Sequence, residues 1–288
     1  MTVGDEIPVA FDCEGSTLVG VLHVPQGDPT IGVVIVVGGP QYRVGSHREF
    51  VLLARDLVRR GTAVLRFDCR GMGDSDGDFP GFEFIEPDVA AAVNHLLDRF
   101  HSIRRLALWG LCDATRAICA QARRDPRVTD VVLVNPWVRT SAGHARAKLK
   151  HYYLVRIFQP EFLRKITRGE FRALRSAREF LRSIAAAVSA SRSAGNGPDK
   201  TGTASTHLTE SMARDLQQFN GRILLITSGR DLTAQEFEAA ARASRGWGVI
   251  RRQARLSERR LDEADHTFSR RAWRDQVIRW TWEWLAAE

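Results

Sequence analysis

Short apolar runs separated by amphipathic segments dominate the chain from residue 31 onward. Several runs are rich in Val, Ile and Leu and are apolar at every position, which is typical of strands buried on both faces of a parallel sheet. The pattern predicts strands at 31–37, 63–68, 106–108, 131–135 and 222–227, with a weaker one at 249–256. It predicts helices at 50–60, 87–100, 234–244 and 270–287. Strands that alternate with helices indicate an α/β fold with a doubly wound sheet.

Two regions depart from this alternation. Residues 7–11 and 17–24 flank a Glu-Gly-Ser turn and predict an antiparallel hairpin at the start of the chain. Segment 139–215 is mostly helical in pattern, and its part near 189–206 is rich in Ser, Gly, Thr and Ala, which predicts a flexible loop because little can be buried there. We therefore expect a core of residues 1–138 and 216–288 with a helical, basic cap at 139–215.

Composition and charge indicate an ordinary globular protein. Of 288 residues, 44% are hydrophobic and 26% charged, the acidic start lacks the pattern of a secretory signal, and no apolar run is long enough to cross a bilayer. We therefore expect a cytoplasmic protein without a membrane span. The formal charge of +8 arises in segment 139–215, which carries 15 basic and 6 acidic residues. An anionic substrate is one interpretation of this excess, and a solvated helical surface is the other.

Cys112 is the side chain that indicates a chemistry. It lies in the run Trp-Gly-Leu-Cys-Asp-Ala at 109–114, after an apolar strand and before an Ala-rich helix. A strand, a sharp turn with one nucleophilic side chain and a helix form the layout of a nucleophile elbow, which needs small residues such as Gly110 and Ala114 beside it. A helix N-terminus favours the thiolate, the reactive form of Cys. The alternative is a small buried core residue, as most lone cysteines are.

Catalysis by a thiol also needs a base and a carboxylate that orients it. Asp231 follows the strand predicted at 222–227, and His266 lies between the last strand and the last helix. Both are expected on loops at the carboxyl edge of the sheet, where Cys112 also lies. Asp231 is alternatively placed to cap the helix that follows it. His47 is a rival for the base, and Asp262 and Asp265 are rivals for the acid at the same edge. We favour Asp231, because residues in the same loop as the base are less suited to hold it from behind.

An oxyanion hole needs two backbone N–H donors that point at the developing negative charge. One should be Asp113, which directly follows the proposed nucleophile. The second should come from the loop at 38–41, where Pro40 has no N–H, so that Gln41 or Gly39 must serve and we favour Gln41. A tight Gly-Pro turn without a catalytic role is the alternative. The Asp113 carboxylate raises a difficulty, because a negative charge beside the thiol opposes formation of the thiolate.

The run Asp-Cys-Arg-Gly-Met-Gly-Asp-Ser at 68–75 follows the strand predicted at 63–68. It is similar to the Asp-x-Arg-Gly-x-Gly-x-Ser signature of the α/β-hydrolase superfamily, which the chain resembles over nearly its whole length. The resemblance implies an α/β-hydrolase fold, with a mostly parallel, doubly wound sheet and a helical cap insertion. The structural role of the run would be to supply glycines for a tight loop and Arg70 for pairing carboxylates.

Three further runs, at 38–47, 109–113 and 264–269, resemble a narrower group. This group is the exosortase A system-associated hydrolase 1 family, whose members are associated with bacterial exopolysaccharide and protein-sorting loci. The resemblance implies a Cys-His-Asp hydrolase with Cys112, His266 and Asp231 in these roles by motif position, and it leaves the substrate open.

From these features we expect a cofactor-independent acyl (thio)ester hydrolase or acyltransferase that forms a cysteinyl acyl-enzyme, acting on a small-molecule or carrier-bound acyl substrate. The alternative is a catalytically silent protein of this fold that binds an anionic ligand or a partner through its basic cap. The four cysteines lack a Cys-x-x-Cys spacing, so we expect no metal and no cofactor. The basic residues are not combined with a stacking or groove-reading motif, so nucleic acid is not expected as a partner. The Trp-rich last helix leaves a homodimer open.

Overall fold

A mostly parallel sheet of eight strands forms the centre of the described part of the chain. The computed structural model describes residues 4–39, 41–138 and 200–287, with the backbone alone for 200–207. The strands are β1 (Asp5–Cys13), β2 (Ser16–Val24), β3 (Ile31–Val36), β4 (Ala63–Phe67), β5 (Arg105–Leu111), β6 (Val128–Val134), β7 (Arg222–Ser228) and β8 (Leu256–Leu261). Their order is β1-β2-β4-β3-β5-β6-β7-β8. The pairs β1–β2 and β2–β4 are antiparallel and the others parallel, which confirms the predicted hairpin and the parallel sheet.

Helices cover both faces of this sheet, as the continuous apolar strands predict. The described helices are α1 (Glu49–Arg59), α2 (Glu86–Arg99), α3 (Ala114–Arg124), α4 (Lys200–Gln218), α5 (Leu232–Ala243), α6 (Arg245–Arg251) and α7 (Arg271–Ala286). Successive side chains of a strand point to opposite faces, so Val33 belongs to the cluster that contains Leu53 of α1, and Val34 belongs to the cluster that contains Val89 of α2. Within the described ranges, no helix combines the length and the apolar character needed to span a bilayer.

The prediction of a strand at 249–256 is wrong. Residues 245–251 form α6, and β8 begins only at Leu256. Trp247 and Ile250 are both 0% exposed, and the Ser244 side chain caps the helix by accepting the Trp247 N–H at 3.1 Å. The true strand, Leu-Ser-Glu-Arg-Arg-Leu, lies at the edge of the sheet, so polar side chains are tolerated and the apolar signal is absent.

Most of the predicted cap, 139–215, lies outside the described residues. Its last part is described, and α4 begins at Lys200, so 200–206 is helical and does not belong to the flexible loop predicted near 189–206. Met212 and Leu216 of α4 are fully buried in the core, and a helix that is stabilised by such packing extends readily into the residues before it. The chain divides into two compact units, Met1–Val138 with Thr206–Glu288, and Arg139–Ser205.

The loops that follow the parallel strands lie at one edge of the sheet. Strands β3 to β8 are mutually parallel, so their carboxyl ends lie on the same side. The loops after β3, β5, β6, β7 and β8 therefore meet there, and these are the loops that carry the predicted catalytic residues.

Candidate active site

Cys112 occupies a strained turn between β5 and α3. Its φ is +64°, in the left-handed region that residues with a Cβ rarely adopt. The turn is held by the Cys112 N–H, which donates to the Val134 carbonyl at 2.9 Å, and by the Cys112 carbonyl, which accepts from Thr115 N–H at 3.2 Å and Thr115 Oγ1 at 2.6 Å. The side chain is partly exposed, whereas the other three cysteines are buried. The thiol of Cys112 is therefore the one that a substrate can reach.

The Asp113 carboxylate holds the loop after β3. The Gly39 N–H donates to Asp113 Oδ1 at 2.5 Å, and Asp113 is buried. A Cβ at Gly38 would lie 2.3 Å from the Leu111 carbonyl oxygen and 2.5 Å from Asp113 Oδ1, so this close approach requires glycine. Because the Gly39 N–H is engaged inside the protein, Gln41 is the remaining candidate for the second oxyanion donor. The other predicted donor, the Asp113 N–H, lies at the start of α3.

An arginine fixes the loop that carries Gln41. The Arg43 N–H donates to Asp68 Oδ1 at 2.6 Å, while its guanidinium pairs with Asp68 Oδ2 and, at 2.6 Å, with Asp74 Oδ2. The Arg43 carbonyl accepts from Arg66 Nη1 at 2.6 Å. The glycine-rich loop after β4 and the loop after β3 are thus joined through both the backbone and the side chain of one residue.

The predicted role of Arg70 in pairing carboxylates is confirmed. Its Nε lies 3.1 Å and its Nη2 2.9 Å from Asp88 Oδ2, and its Nη1 contacts Glu14. Asp88 is 0% exposed, so this pair anchors the glycine-rich loop to the first turn of α2.

His266 and Asp231 form a hydrogen bond across 35 residues of sequence. His266 Nδ1 lies 2.7 Å from Asp231 Oδ2, with the histidine side chain 31% exposed and the aspartate side chain 7% exposed. The same carboxylate caps α5, where Oδ1 accepts from the Thr233 N–H at 3.0 Å and Oδ2 from the Ala234 N–H at 3.1 Å. Asp231 therefore combines the capping role and the contact with the imidazole. A carboxylate held in this way favours the tautomer with its proton on Nδ1, which leaves Nε2 able to accept a proton.

Glycine allows the loops of these two residues to touch. A Cβ at Gly229 would lie 2.3 Å from the carbonyl oxygen of Asp262, so only glycine permits this approach. The Gly229 N–H donates to the Leu261 carbonyl at 2.9 Å, and the Arg230 N–H donates to the Ala264 carbonyl at 2.9 Å. These bonds fix the acid loop against the base loop.

The two aspartates that compete with Asp231 as the acid, Asp262 and Asp265, have hydrogen-bond partners other than His266. Asp265 accepts the Ser269 N–H at 2.9 Å and also the Ser269 hydroxyl. Burial raises the pKa of Asp265, but the hydrogen bonds from Ser269 and the nearby charge of His47 outweigh it, so this pKa lies below its ordinary value. Asp262 has a side chain that is 79% exposed and pairs with Arg260 Nε at 2.6 Å. It is Asp231 that the structure brings to His266.

Asn135, which the sequence analysis did not single out, connects the same loops. It directly follows β6, is 0% exposed and has a φ of +42°. Its Nδ2 donates to the His266 carbonyl at 2.8 Å, and its Oδ1 accepts the Ser228 N–H at 2.8 Å. The signal in the sequence was a polar residue directly after the apolar run Val-Val-Leu-Val at 131–134.

Glu49 is a second residue that the sequence analysis did not single out. It is the first residue of α1 and is 7% exposed; its Oε1 has no hydrogen-bond partner among the described residues. It borders a cavity of about 10 Å³ that Phe268 and Arg274 also line. Burial, with a smaller contribution from Asp265, raises the pKa of Glu49 to about 8, against the opposing charge of Arg274. Glu is common in the first turn of a helix, where it is usually exposed, so the burial of Glu49 could not be predicted from its position.

The residues at this edge of the sheet supply the groups needed for nucleophilic catalysis. Within the described ranges, no group of three or more His, Cys, Asp and Glu side chains is arranged to hold a metal ion. A partly exposed thiol at a helix N-terminus, an imidazole held by a buried carboxylate, and backbone N–H groups in adjacent loops are the parts that acyl transfer requires.

A mostly parallel sheet covered on both faces, with a nucleophile elbow at its carboxyl edge, is the architecture of an α/β hydrolase. The chain belongs to the Hydrolase_4 family, described as serine aminopeptidase, S33, whose model matches residues 28–247. The protein is therefore an enzyme of the hydrolase class, and the predicted superfamily and fold are confirmed.

Solved structures with the same fold include several esterases. The Pyrococcus furiosus esterase Pf2001 shares 17% identity at a TM-score of 0.67, covering 98% of this chain and 91% of its own. Est1E from Butyrivibrio proteoclasticus, solved with ferulic acid bound, shares 16% identity at a TM-score of 0.61, covering 97% of this chain and 100% of its own. The dienelactone hydrolase from Anabaena variabilis shares 15% identity at a TM-score of 0.58, covering 99% of this chain and 98% of its own. A search of curated proteins finds no match.

Proposed function

We propose that the protein is a cofactor-independent acyl hydrolase in which Cys112 is the nucleophile, His266 the general base and Asp231 the residue that orients the base. The observation that carries this proposal is the 2.7 Å contact between His266 Nδ1 and Asp231 Oδ2, at the edge of the sheet where Cys112 has a φ of +64°. A nucleophile in a strained turn and a base that is oriented by a third group are the two signatures of an activated nucleophile.

In the first half-reaction, His266 Nε2 takes the proton of the Cys112 thiol, and the sulfur attacks the acyl carbon of the substrate. The carbonyl electron pair moves to oxygen, and the backbone N–H groups of Asp113 and Gln41 stabilise this oxyanion. When the C=O bond re-forms, the bond to the alcohol or thiol leaving group breaks. The leaving group departs with the proton from His266, and the acyl group remains on sulfur as a thioester.

In the second half-reaction, His266 takes a proton from water, and the hydroxide oxygen attacks the thioester carbon. The carbon–sulfur bond then breaks, the acid is released, and Cys112 regains its proton from His266. An acceptor hydroxyl or thiol in place of water gives acyl transfer by the same steps.

Thioesters and activated esters are the substrate class that this proposal favours. The acyl-enzyme is itself a thioester, so transfer from another thioester costs little, whereas simple amides have a poorer leaving group. The runs at 38–47 and 264–269, which carry the resemblance to the exosortase A system-associated hydrolase 1 family, form the Gln41 loop and the His266 loop, and membership of that family is part of the proposal. An anionic substrate stays a prediction, because the basic segment that favours it lies largely outside the described residues.

The test is the mass of the intact protein after exposure to p-nitrophenyl esters and acyl-CoA thioesters. The wild type should gain one acyl group, and Cys112→Ala should gain none and lose more than about 10³-fold in kcat/KM. Cys112→Ser should retain a low activity through an oxygen ester. Cys13→Ala is the matched control and should behave as wild type, because Cys13 is buried on β1 and burial raises its pKa to about 11.

Full turnover by Cys112→Ala would overturn the mechanism. A wild-type protein that gains no acyl mass from any of these esters would instead favour a catalytically silent protein that binds a ligand.

A further inference from the structure

We propose that Asn135 is a positioning residue that sets the place of His266 relative to Asp231 and Cys112. This inference rests on the proposed function, because it assigns Asn135 to the machinery of that reaction. The residue is not expected to touch the substrate. Its effect would pass through the backbone of the three loops that carry the proposed nucleophile, base and acid.

Hydrogen bonds join the segment of Asn135 to each of these loops. The Val134 carbonyl accepts the Cys112 N–H at 2.9 Å, which ties the end of β6 to the elbow. The Asn135 N–H donates to the Ile226 carbonyl at 2.9 Å, and its Oδ1 accepts the Ser228 N–H at 2.8 Å, which ties it to the strand that leads to Asp231. Its Nδ2 donates to the His266 carbonyl at 2.8 Å, which ties it to the base.

The amide of asparagine fits this position for three physical reasons. One short side chain must donate to a carbonyl and accept from an N–H, and an amide carries both a donor and an acceptor. The φ of +42° lies in the left-handed region, which Asn tolerates better than most residues. The side chain is fully buried, so an unpaired donor or acceptor in either loop would be costly.

Holding both ends of His266 has a direct consequence for its imidazole. Asp231 fixes the ring at Nδ1, and Asn135 fixes the backbone carbonyl of the same residue. Without the second contact, the base loop can move although the first contact still forms. Misplacement of a reacting group by about 1 Å can cost about 10²-fold in rate.

Two substitutions separate this role from simple support of the fold. Asn135→Asp keeps the shape and the acceptor for the Ser228 N–H, but an ionised carboxylate has no donor for the His266 carbonyl. Asn135→Gly accepts the backbone conformation and removes both side-chain bonds. Thr281→Val is the matched control, because it removes another buried hydrogen bond, from Trp109 Nε1 on β5 to Thr281 Oγ1 on α7 at 3.3 Å, that involves none of the three loops.

The first readout is kinetic. Asn135→Gly should lose about 10²-fold in kcat with little change in KM, because the base is displaced and binding is not. For Asn135→Asp, the ratio of its kcat/KM to that of wild type should rise as pH falls, since a protonated carboxyl again donates to the His266 carbonyl. Thr281→Val should lower the free energy of unfolding while leaving kcat and the shape of the pH profile unchanged.

The second readout needs no turnover. In protein labelled with ¹⁵N-histidine, the Nδ1–H resonance of the bond to Asp231 can be assigned with His266→Gln. It should be present in wild type and Thr281→Val, and shifted or broadened in Asn135→Gly.

The outcomes distinguish this inference from the proposed function. Asn135 variants that match Thr281→Val in kcat, pH profile and resonance would overturn the inference and leave the mechanism intact. If the wild type turns over no ester, the proposed function fails, and the Nδ1–H resonance still decides whether Asn135 positions His266.

Discussion

At the scale of single residues, Asp231 joins a structural and a chemical role in one carboxylate. Its two oxygens accept the N–H groups of Thr233 and Ala234 at the start of α5, and Oδ2 also contacts His266 Nδ1. The cap holds the carboxylate at a fixed angle, so the imidazole meets a rigid partner. Capping of α5 therefore helps Asp231 to orient the imidazole of His266. Substitutions can separate the capping role from the contact with His266.

Asp231→Asn should separate them, since Asn caps a helix about as well as Asp. We expect little change in the free energy of unfolding but a loss of about 10²–10⁴-fold in kcat, because a neutral amide neither favours the Nδ1–H tautomer nor stabilises the imidazolium. Asp231→Ala should lose activity to the same extent and, in addition, about 1 kcal/mol of stability with the cap. Urea unfolding and ester hydrolysis measure the two effects, and equal stability of both variants would contradict the capping role.

At the scale of elements, the strand–turn–helix unit of β5 and α3 depends on close packing beside the elbow. A Cβ at Gly110 would lie 2.4 Å from Ile118 Cδ1 and 3.1 Å from the Ala114 Cβ. The small residues therefore let α3 start directly against β5, which brings its N-terminus to Cys112.

Gly110→Ala should lower the free energy of unfolding by about 1–3 kcal/mol through overpacking. Ile118→Val alone should cost about 0.5–1.5 kcal/mol, because it removes a buried methyl group. The double variant should lose less than the sum of the two, since the missing Cδ1 is the atom that the new Cβ meets. The control combines Gly110→Ala with Ile278→Val, which lies on the opposite face of the sheet, and the stability losses of these two changes should add. If the losses of Gly110→Ala and Ile118→Val also add, the packing argument is contradicted.

At the scale of the whole molecule, two buried ionisable groups make stability depend on pH in opposite directions. Glu49 has its pKa raised by burial from 4.5 to about 8, so the folded chain keeps a proton that the unfolded chain releases, and stability falls as pH rises through this range. Burial and the charge of Arg66 lower the pKa of His23 from 6.5 to about 4, so stability falls as pH drops through that range.

In the wild type, the free energy of unfolding should fall by up to about 1.4 kcal/mol per pH unit between pH 5 and about 8 because of Glu49. Glu49→Gln should remove this contribution to the slope. Glu263→Gln is the control, because it removes a carboxylate that is 67% exposed, and its slope should match that of wild type. Urea unfolding at a series of pH values gives the comparison. A slope unchanged by Glu49→Gln would show that this carboxyl does not hold its proton in the folded chain.

The parallel core could be predicted because its strands are buried on both faces and so carry runs of consecutive apolar residues, as in β3 and at 223–226 in β7. The edge strand β8 was missed because a strand at the edge of the sheet is only partly buried and does not require apolar residues. The short helix α6 was missed because its two buried side chains, Trp247 and Ile250, fit a helix as well as a strand. Residues 200–206 were expected in a flexible loop and are helical, because small polar residues carry no signal of the packing that follows them.

The candidate site was predictable as a set of loops and, among its contacts, as the pairing of Asp231 with His266. Cys112, Asp231 and His266 follow strands that end at one edge, which chain order alone reveals. The close approach of the Asp231 and His266 loops depends on Gly229, which no pattern in the sequence indicated.

The order and spacing of residues thus determined the layers of the fold, the edge that carries the site and the kinds of side chain there, because these follow from periodicity and strand direction. The tertiary structure alone decided that Asp113 engages Gly39 and that Asn135 joins the loops, and it supplies the distance between Asp231 and His266. Each of these depends on distances of a few ångströms between residues far apart in the chain, and no local pattern encodes such distances.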